Sequence, residues 1–367
     1  MTITNKTLII AEAGVNHNGS LNRAKELIEV AAGAGADAVK FQTFKAEKVV
    51  SQSANKASYQ LETTDSSESQ LEMIKNLELT EKEHRILFQH SKKCGIDFLS
   101  TPFDYDSLNF LSNDLKLNRI KIPSGEITNA PFLLEIARTG KPVILSTGMS
   151  TLGEVETALS ILAYGYAGEE EKPSLNNFFK AYKSSEGQNA LANNVTLLHC
   201  TTEYPAPYED VNLNAMGTLK AAFQLPVGLS DHTLGIAVPI AAVARGATII
   251  EKHFTLDKNM AGPDHKASLE PDELCEMVKS IRQVEKAFGS PVKGLAPSEI
   301  KNMIVARKSL VAGKNIKCGE YFSEENLVCK RSSKGLAPVY YWVLLGRKSN
   351  KGYKIDESID WFGVQDE

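Results

Sequence analysis

Cysteine is scarce and scattered in this chain. The five present (Cys94, Cys200, Cys275, Cys318, Cys329) are odd in number and form no CxxC pair. That excludes a disulfide framework and suits a reducing cytoplasm. Long apolar runs are also missing: none approaches the ~20 residues that a transmembrane helix needs. The opening stretch MTITNKTLIIAEAG breaks its apolar run at Glu12 and reads as a poor secretory signal. Nor does one sign of charge dominate, since 41 Lys and Arg face 45 Asp and Glu for a net charge of −4. Such a balance argues against a nucleic-acid or membrane surface, and an anionic ligand needs a local basic pocket instead. With 42% hydrophobic and 23% charged residues, a soluble globular protein with a large core is expected.

What is present is a repeated pattern. Eight short apolar runs each end in a polar cluster: Leu8–Gly14, Ala38–Thr43, Asp97–Phe103, Arg119–Glu126, Pro142–Gly148, Val195–Thr202, Val227–Thr233 and Thr248–Thr255. Strands covered by helices on the outside read as continuous apolar runs. Amphipathic stretches lie between them. Ser20 can cap a helix with Leu21, Ala24, Leu27, Ile28 and Ala31 at helical spacing. Pro271 opens another with Leu274, Met277, Val278, Ile281 and Val284 on one face. Alternating strands and helices imply a parallel sheet, and eight units suit a closed (β/α)8 TIM barrel, an α/β fold. The competing architecture is an open doubly wound sheet.

The barrel is expected over residues 1–288, a Gly/Pro-rich linker over 289–303, and a small β-rich module over 304–367. Roughly 60 residues make a marginal independent core, so the module should lean on the barrel or on a partner subunit. Two connections are long. The one from Phe44 to Thr80 follows the carboxyl end of a strand and reads as a rim loop or lid. The one from Tyr164 to Asn194 precedes a strand and reads as a solvated excursion or, through Phe178 and Phe179, an oligomer contact.

Strand side chains alternate faces, so parity sorts each run. Lys40, Gln42, Thr101, Lys121, Ser146, His199 and His232 should point inward, as should Glu12, Glu251 and His253, while Cys200 should point outward. Lys40, Thr101, Lys121, Ser146 and Ser124 form a basic and hydroxyl set that can hold a phosphate. The alternative is that Lys40 and Lys121 pair structurally with Glu12 or Glu126. His232, His253 and the nearby Glu251 and Glu12 form a second set. Two imidazoles near carboxylates suit a first-row divalent metal. His84 and His90 should be solvated on a helix, and His17 and His265 are rim candidates for substrate contact.

The stretches IIAEAGVNHNGS, VKFQTF, FLSTPF, KIPSGE, ILSTGM, LLHCTTEYPAP, GLSDHT, EKHFTLDKNMAGPDHKASLEP and ARKSL run in order through the chain. This set resembles the sialic acid synthase family, the bacterial nonulosonate synthases that condense phosphoenolpyruvate with an N-acylated mannose-type sugar. The resemblance implies a TIM barrel closed by an antifreeze-like SAF domain. By position it implies that Lys40, Gln42, Thr101, Lys121, Ser124 and Ser146 bind phosphoenolpyruvate. His232 and His253 match the ligands of a divalent metal, Mn²⁺ or Mg²⁺. Glu12 and Glu251 match acids near the reacting atoms, and Glu126, Tyr204 and Asp264 match sugar contacts. Arg331 matches an arginine sent into the neighbouring subunit, which implies a domain-swapped homodimer. The family often reads KRPGNGI at that point, where this chain has KRSSKGL. The implied acceptor is N-acetylmannosamine, giving N-acetylneuraminate, or 2,4-diacetamido-2,4,6-trideoxymannose, giving legionaminate. Rival readings are another phosphoenolpyruvate-dependent sugar-acid synthase, or a carbohydrate- or ice-binding protein with a degenerate barrel.

Overall fold

The computed structural model describes residues 6–65, 67–168 and 171–365. The chain divides into two compact units, 1–289 and 290–367.

The first unit is built on eight strands: β1 (Leu8–Gly14), β2 (Ala38–Thr43), β3 (Asp97–Pro102), β4 (Ile120–Ile122), β5 (Val143–Ser146), β6 (Val195–Cys200), β7 (Val227–Asp231) and β8 (Ile249–His253). They hydrogen-bond in the order β3-β2-β1-β8-β7-β6-β5-β4, parallel throughout. This is a near-closed barrel with its seam between β3 and β4. Helices cover it as the periodicity predicts. Ser20 caps Leu21–Gly33, whose Ala24, Leu27, Ile28 and Ala31 are buried. Pro271 is the first residue of the helix Pro271–Ala287, which buries Leu274, Met277, Val278 and Ile281.

Two apolar layers position the chemistry. Outward-facing residues such as Ile9, Ala11, Val39, Phe41, Ile120 and Leu145 join the helices in the main core. Inside the barrel, Ile10, Ala38, Leu99, Ile144, Leu198 and Ile249 form a separate apolar plug. Two residues after each, on the same face, stand Glu12, Lys40, Thr101, Ser146, Cys200 and Glu251. The plug therefore fills the amino end of the barrel and raises a polar layer at the carboxyl end.

The same register corrects the reading of β6. Leu197 belongs to the outer core and Leu198 to the inner plug. His199 consequently faces out, its Nε2 donating to the Val211 carbonyl at 2.6 Å, and Cys200 faces in. The Tyr164–Asn194 stretch is also not a solvated loop. Helix Leu152–Ala167 continues past Tyr164, and helices Leu175–Lys183 and Ser185–Asn194 follow. Phe178 is buried with its ring 5.2 Å from that of Tyr164, so it packs on its own barrel. His84 is fully buried rather than solvated, 2.9 Å from the Thr43 hydroxyl, and His90 pairs with Glu29 at 2.9 Å.

The second unit pairs strands Lys308–Ala312 and Leu327–Arg331 antiparallel. Leu310, Ala312, Ile316, Phe322, Leu327, Leu344, Tyr353, Ile359 and Val364 form its core. The segment expected as linker carries a helix, Ile300–Ala306, across its end.

Candidate active site

A cavity of about 280 Å³ opens at the carboxyl ends of the strands. Glu12, Lys40, Gln42, Thr101, Lys121, Ser124, Ser146, Tyr204, His232, His253 and Asp264 line it. Glu251 joins them through contacts with both lysines. Glu126 does not line the cavity: its carboxylate accepts from the Asn129 side chain at 2.6 Å. Arg331 ends a strand of the second unit and is exposed.

Four charges form a buried square at the floor. Lys40 Nζ lies 2.7 Å from Glu12 Oε2, 3.7 Å from Glu251 Oε2 and 3.1 Å from Thr101 Oγ1. Lys121 Nζ lies 3.2 Å from Glu251 Oε1, which also accepts from the Ser230 hydroxyl at 2.8 Å. The sheet register explains the square, because Glu12 pairs with Lys40 on one side and His253 on the other. The two carboxylates separate in character. Burial pushes Glu12 up to about 7 despite Lys40. Burial also disfavours the Glu251 anion, but Lys121 and then Lys40 hold it down at about 2. One acid therefore stays ionised while the other can exchange a proton near neutrality.

A hydroxyl cradle stands beside Lys121. Ser124 Oγ accepts from Gly148 N–H at 3.0 Å and lies 3.1 Å from Cys200 Sγ. The hydroxyls of Ser146 and Thr202 are buried without a hydrogen-bond partner. Orphaned hydroxyls beside a buried lysine are a ready shell for phosphate oxygens. Gly148 has to be glycine here: a Cβ would stand 2.3 Å from Thr202 Oγ1 and 2.6 Å from Cys200 Sγ. The sequence assigned Thr202 no role and read Cys200 as facing outward, because the adjacent Leu197 and Leu198 are equally apolar and leave the parity of β6 ambiguous.

Across the cavity the His232 and His253 rings lie 5.5 Å apart. His232 Nδ1 donates to the Thr201 carbonyl at 2.6 Å, leaving Nε2 as the lone-pair nitrogen. His253 Nδ1 is buried without a hydrogen-bond partner, 3.7 Å from Asp264 Oδ2. Burial holds both imidazoles neutral and raises Asp264 to about 6. Tyr204 lies over His232 with ring centres 4.2 Å apart. Two neutral imidazoles facing one cavity, one with an orphaned nitrogen, fit a divalent cation. Among the described residues no group of three His, Cys, Asp or Glu closes a cage; a cation held by the two imidazoles would need water or substrate for its other ligands.

The rim is braced. Asn16 donates to the Phe254 carbonyl at 2.8 Å and to Ser268 at 2.9 Å, tying the loop after β1 to the loop after β8. His265 is held by Thr255 and Asn18 at 2.7 and 3.1 Å, and neither it nor His17 lines the cavity. The Phe44–Thr80 excursion folds into helices Ala46–Val49, Ser58–Thr63 and Gln70–Asn76 and walls one side of the cavity.

A model of the NeuB family matches residues 27–293. The chain is 56% identical over 354 residues to the N,N'-diacetyllegionaminic acid synthase of Campylobacter jejuni, covering 96% of this chain and 99% of that protein. It is 44% identical to the enzyme of the same name from Legionella pneumophila, over 97% and 94% of the two chains. Among solved structures, the N-acetylneuraminic acid synthetase of Leptospira borgpetersenii superposes with a TM-score of 0.66 at 35% identity, over 82% of this chain and 91% of that one. The eight-stranded barrel and its strand-end site thus belong to a synthase-type enzyme. The chain is a member of the NeuB family.

Proposed function

We propose that this enzyme condenses phosphoenolpyruvate with the open-chain aldehyde of an N-acylated mannose-type sugar, releasing phosphate and forming a nonulosonic acid. The observation that carries the reading is the facing of two sets across one cavity: lysines and orphaned hydroxyls on one side, two neutral imidazoles on the other. The 56% identity to a named legionaminic acid synthase supports it, and makes 2,4-diacetamido-2,4,6-trideoxymannose the acceptor of first choice over N-acetylmannosamine.

Lys121, Ser124, Ser146 and Thr101 hold the phosphate, balancing its charge and fixing its orientation. Lys40 links that set to Glu12. A divalent cation, Mn²⁺ or Mg²⁺, bound by His232 and His253 would polarise the acceptor aldehyde. Tyr204 and Asp264 lie on the acceptor side of the cavity. The C3 carbon of phosphoenolpyruvate attacks the aldehyde carbon, and the positive charge left at C2 is captured by water. Glu12 takes the proton of that water, since its carboxyl is the one that exchanges protons near neutrality. Glu251 stays ionised and keeps both lysines in place. Collapse of the hemiketal phosphate breaks the C–O bond and frees inorganic phosphate.

The second unit is read as the SAF domain, with Arg331 reaching the site of a partner copy in a domain-swapped homodimer. Among the described residues no helix is long and apolar enough to cross a membrane; the compartment this reading calls for is the cytoplasm, where phosphoenolpyruvate is available. The test is a two-acceptor assay with Mn²⁺, scoring phosphate release and product mass. Phosphate release with a product of acceptor-plus-pyruvate mass supports the reading; no phosphate with either acceptor rejects it.

A further inference from the structure

The cavity has two unlike ends. Its floor is charged, as the reacting carbonyl and the phosphate require. On the side of the Phe44–Thr80 segment its rim wall is apolar apart from Gln60. Val15, Phe44 and Leu77 form a hydrophobic cluster apart from the barrel core, with Ile74 and Phe103 packed against it. Phe44 and Phe103 meet edge to face at 6.2 Å. All of these except Ile74 and Leu77 come from segments that directly follow β1, β2 or β3; Ile74 and Leu77 come from helix Gln70–Asn76 and its cap. Met73, from the same helix, also faces the cavity although it is almost wholly buried. The barrel does not need this cluster for its own core. Its position beside a polar site calls for a substrate that is itself partly apolar.

We propose that Met73, Ile74 and Leu77 select the acceptor by its methyl-bearing end: a 6-deoxy sugar with acylated amines is accepted, and one with free hydroxyls there is disfavoured. The inference rests on the condensing activity proposed above. The aldehyde end of the acceptor must meet the charged floor, so the far end of the sugar meets the rim wall. A C6 methyl or an acetamido methyl pressed on Met73, Ile74 and Leu77 buries apolar surface. A hydroxyl in the same place loses water and gains no partner from these side chains. N-acetylmannosamine carries hydroxyls at C4 and C6, whereas the trideoxy sugar carries an acetamido group and a methyl.

The test compares three acceptors by steady-state phosphate release: the diacetamido-trideoxy sugar, 6-deoxy-N-acetylmannosamine and N-acetylmannosamine. An apolar pocket discriminates against an added hydroxyl by roughly 10- to 100-fold, so kcat/KM should fall in that order and by at least about ten-fold overall. Ile74→Thr and Met73→Gln should each shrink the ratio between the first and last acceptors by about five-fold or more, through the KM of the trideoxy sugar. Phosphoenolpyruvate affinity by calorimetry should not change. If Met73→Gln misfolds, the half-buried Ile74 carries the test. Equal efficiency of the wild-type enzyme on all three acceptors, or an unchanged ratio in folded variants, overturns the selection role and leaves the condensing activity standing. Absence of phosphate release with every acceptor overturns both.

Discussion

Asp231 and Lys252 form an ion pair of 2.6 Å on neighbouring strands, sealed between barrel and helices with side chains 1% and 0% exposed. Each stands one residue before a histidine of the cavity. Because successive residues point to opposite faces, the pair clamps the outside of β7 and β8 while His232 and His253 converge inside. Asp231 is further held by Thr233, whose backbone N–H donates to it at 3.1 Å. Removing one partner of a buried pair leaves an uncompensated charge, which costs about 3–5 kcal/mol. Asp231→Ala should lose that much stability in urea denaturation. The double replacement Asp231→Leu, Lys252→Met should lose markedly less, and equal losses would show that the pair is not the source.

Substitutions at the histidines separate binding from chemistry. His232→Ala and His253→Ala should each abolish metal-dependent turnover and weaken Mn²⁺ binding measured by calorimetry. Glu12→Gln should keep affinity for both substrates but lower kcat by about 10²- to 10⁴-fold, the usual range for a general base. Normal turnover in Glu12→Gln would move that role to another group.

Gly148 gives a test of the phosphate cradle. Gly148→Ala places a methyl among Thr202, Cys200 and Ser124 at contacts of 2.3, 2.6 and 2.8 Å, so the cradle must spread. Phosphoenolpyruvate Kd should rise at least about ten-fold, equivalent to 1.4 kcal/mol, while acceptor KM changes little. An unaltered Kd would place the phosphate elsewhere.

Stability should fall with acid in a predictable window. Burial, with His84 next, brings His17 down from 6.5 to about 4, and burial, with Arg23 next, does the same for His265. The unfolded chain then takes up protons near pH 6.5 that the folded chain accepts only near 4. Stability is full above about 6.5 and is lost as pH drops through 4, by about 3 kcal/mol for His17. Melting temperatures from pH 8 to 4 check this, and His17→Gln should flatten the slope.

Arg331→Ala probes the second unit. Acceptor KM should rise while phosphoenolpyruvate affinity holds. If neither constant moves, the cross-subunit role is withdrawn.

The barrel and most of its strand-end residues were legible because one physical rule, alternation of faces, acts on strands whose inner and outer residues differ in polarity. Lys40, Lys121, Glu12 and His253 each interrupt an apolar run and so announce their direction. In β6 the rule had nothing to act on: Leu197 and Leu198 are equally apolar, and His199 drew the inward assignment that belongs to Cys200. His84 was misread for a related reason. Helical spacing located it on a polar-looking helix, but its bond to Thr43 is a tertiary contact that no local pattern encodes. The helices between Leu175 and Asn194 were hidden by a composition of Asn, Ser and Lys that favours loops, and they are stabilised by packing that begins with Phe178 on Tyr164.

The plug of Ile10, Ala38, Leu99, Ile144, Leu198 and Ile249 closes the amino end of the barrel. Reactants that reach the lysines through the carboxyl rim must leave by the same door. With phosphoenolpyruvate on the lysines, as proposed above, it would have to enter before the sugar, and the finished sugar acid would block the exit of phosphate until it departs or shifts aside. Sequential, ordered kinetics are therefore the expected consequence of a layer of six aliphatic side chains below the charged floor.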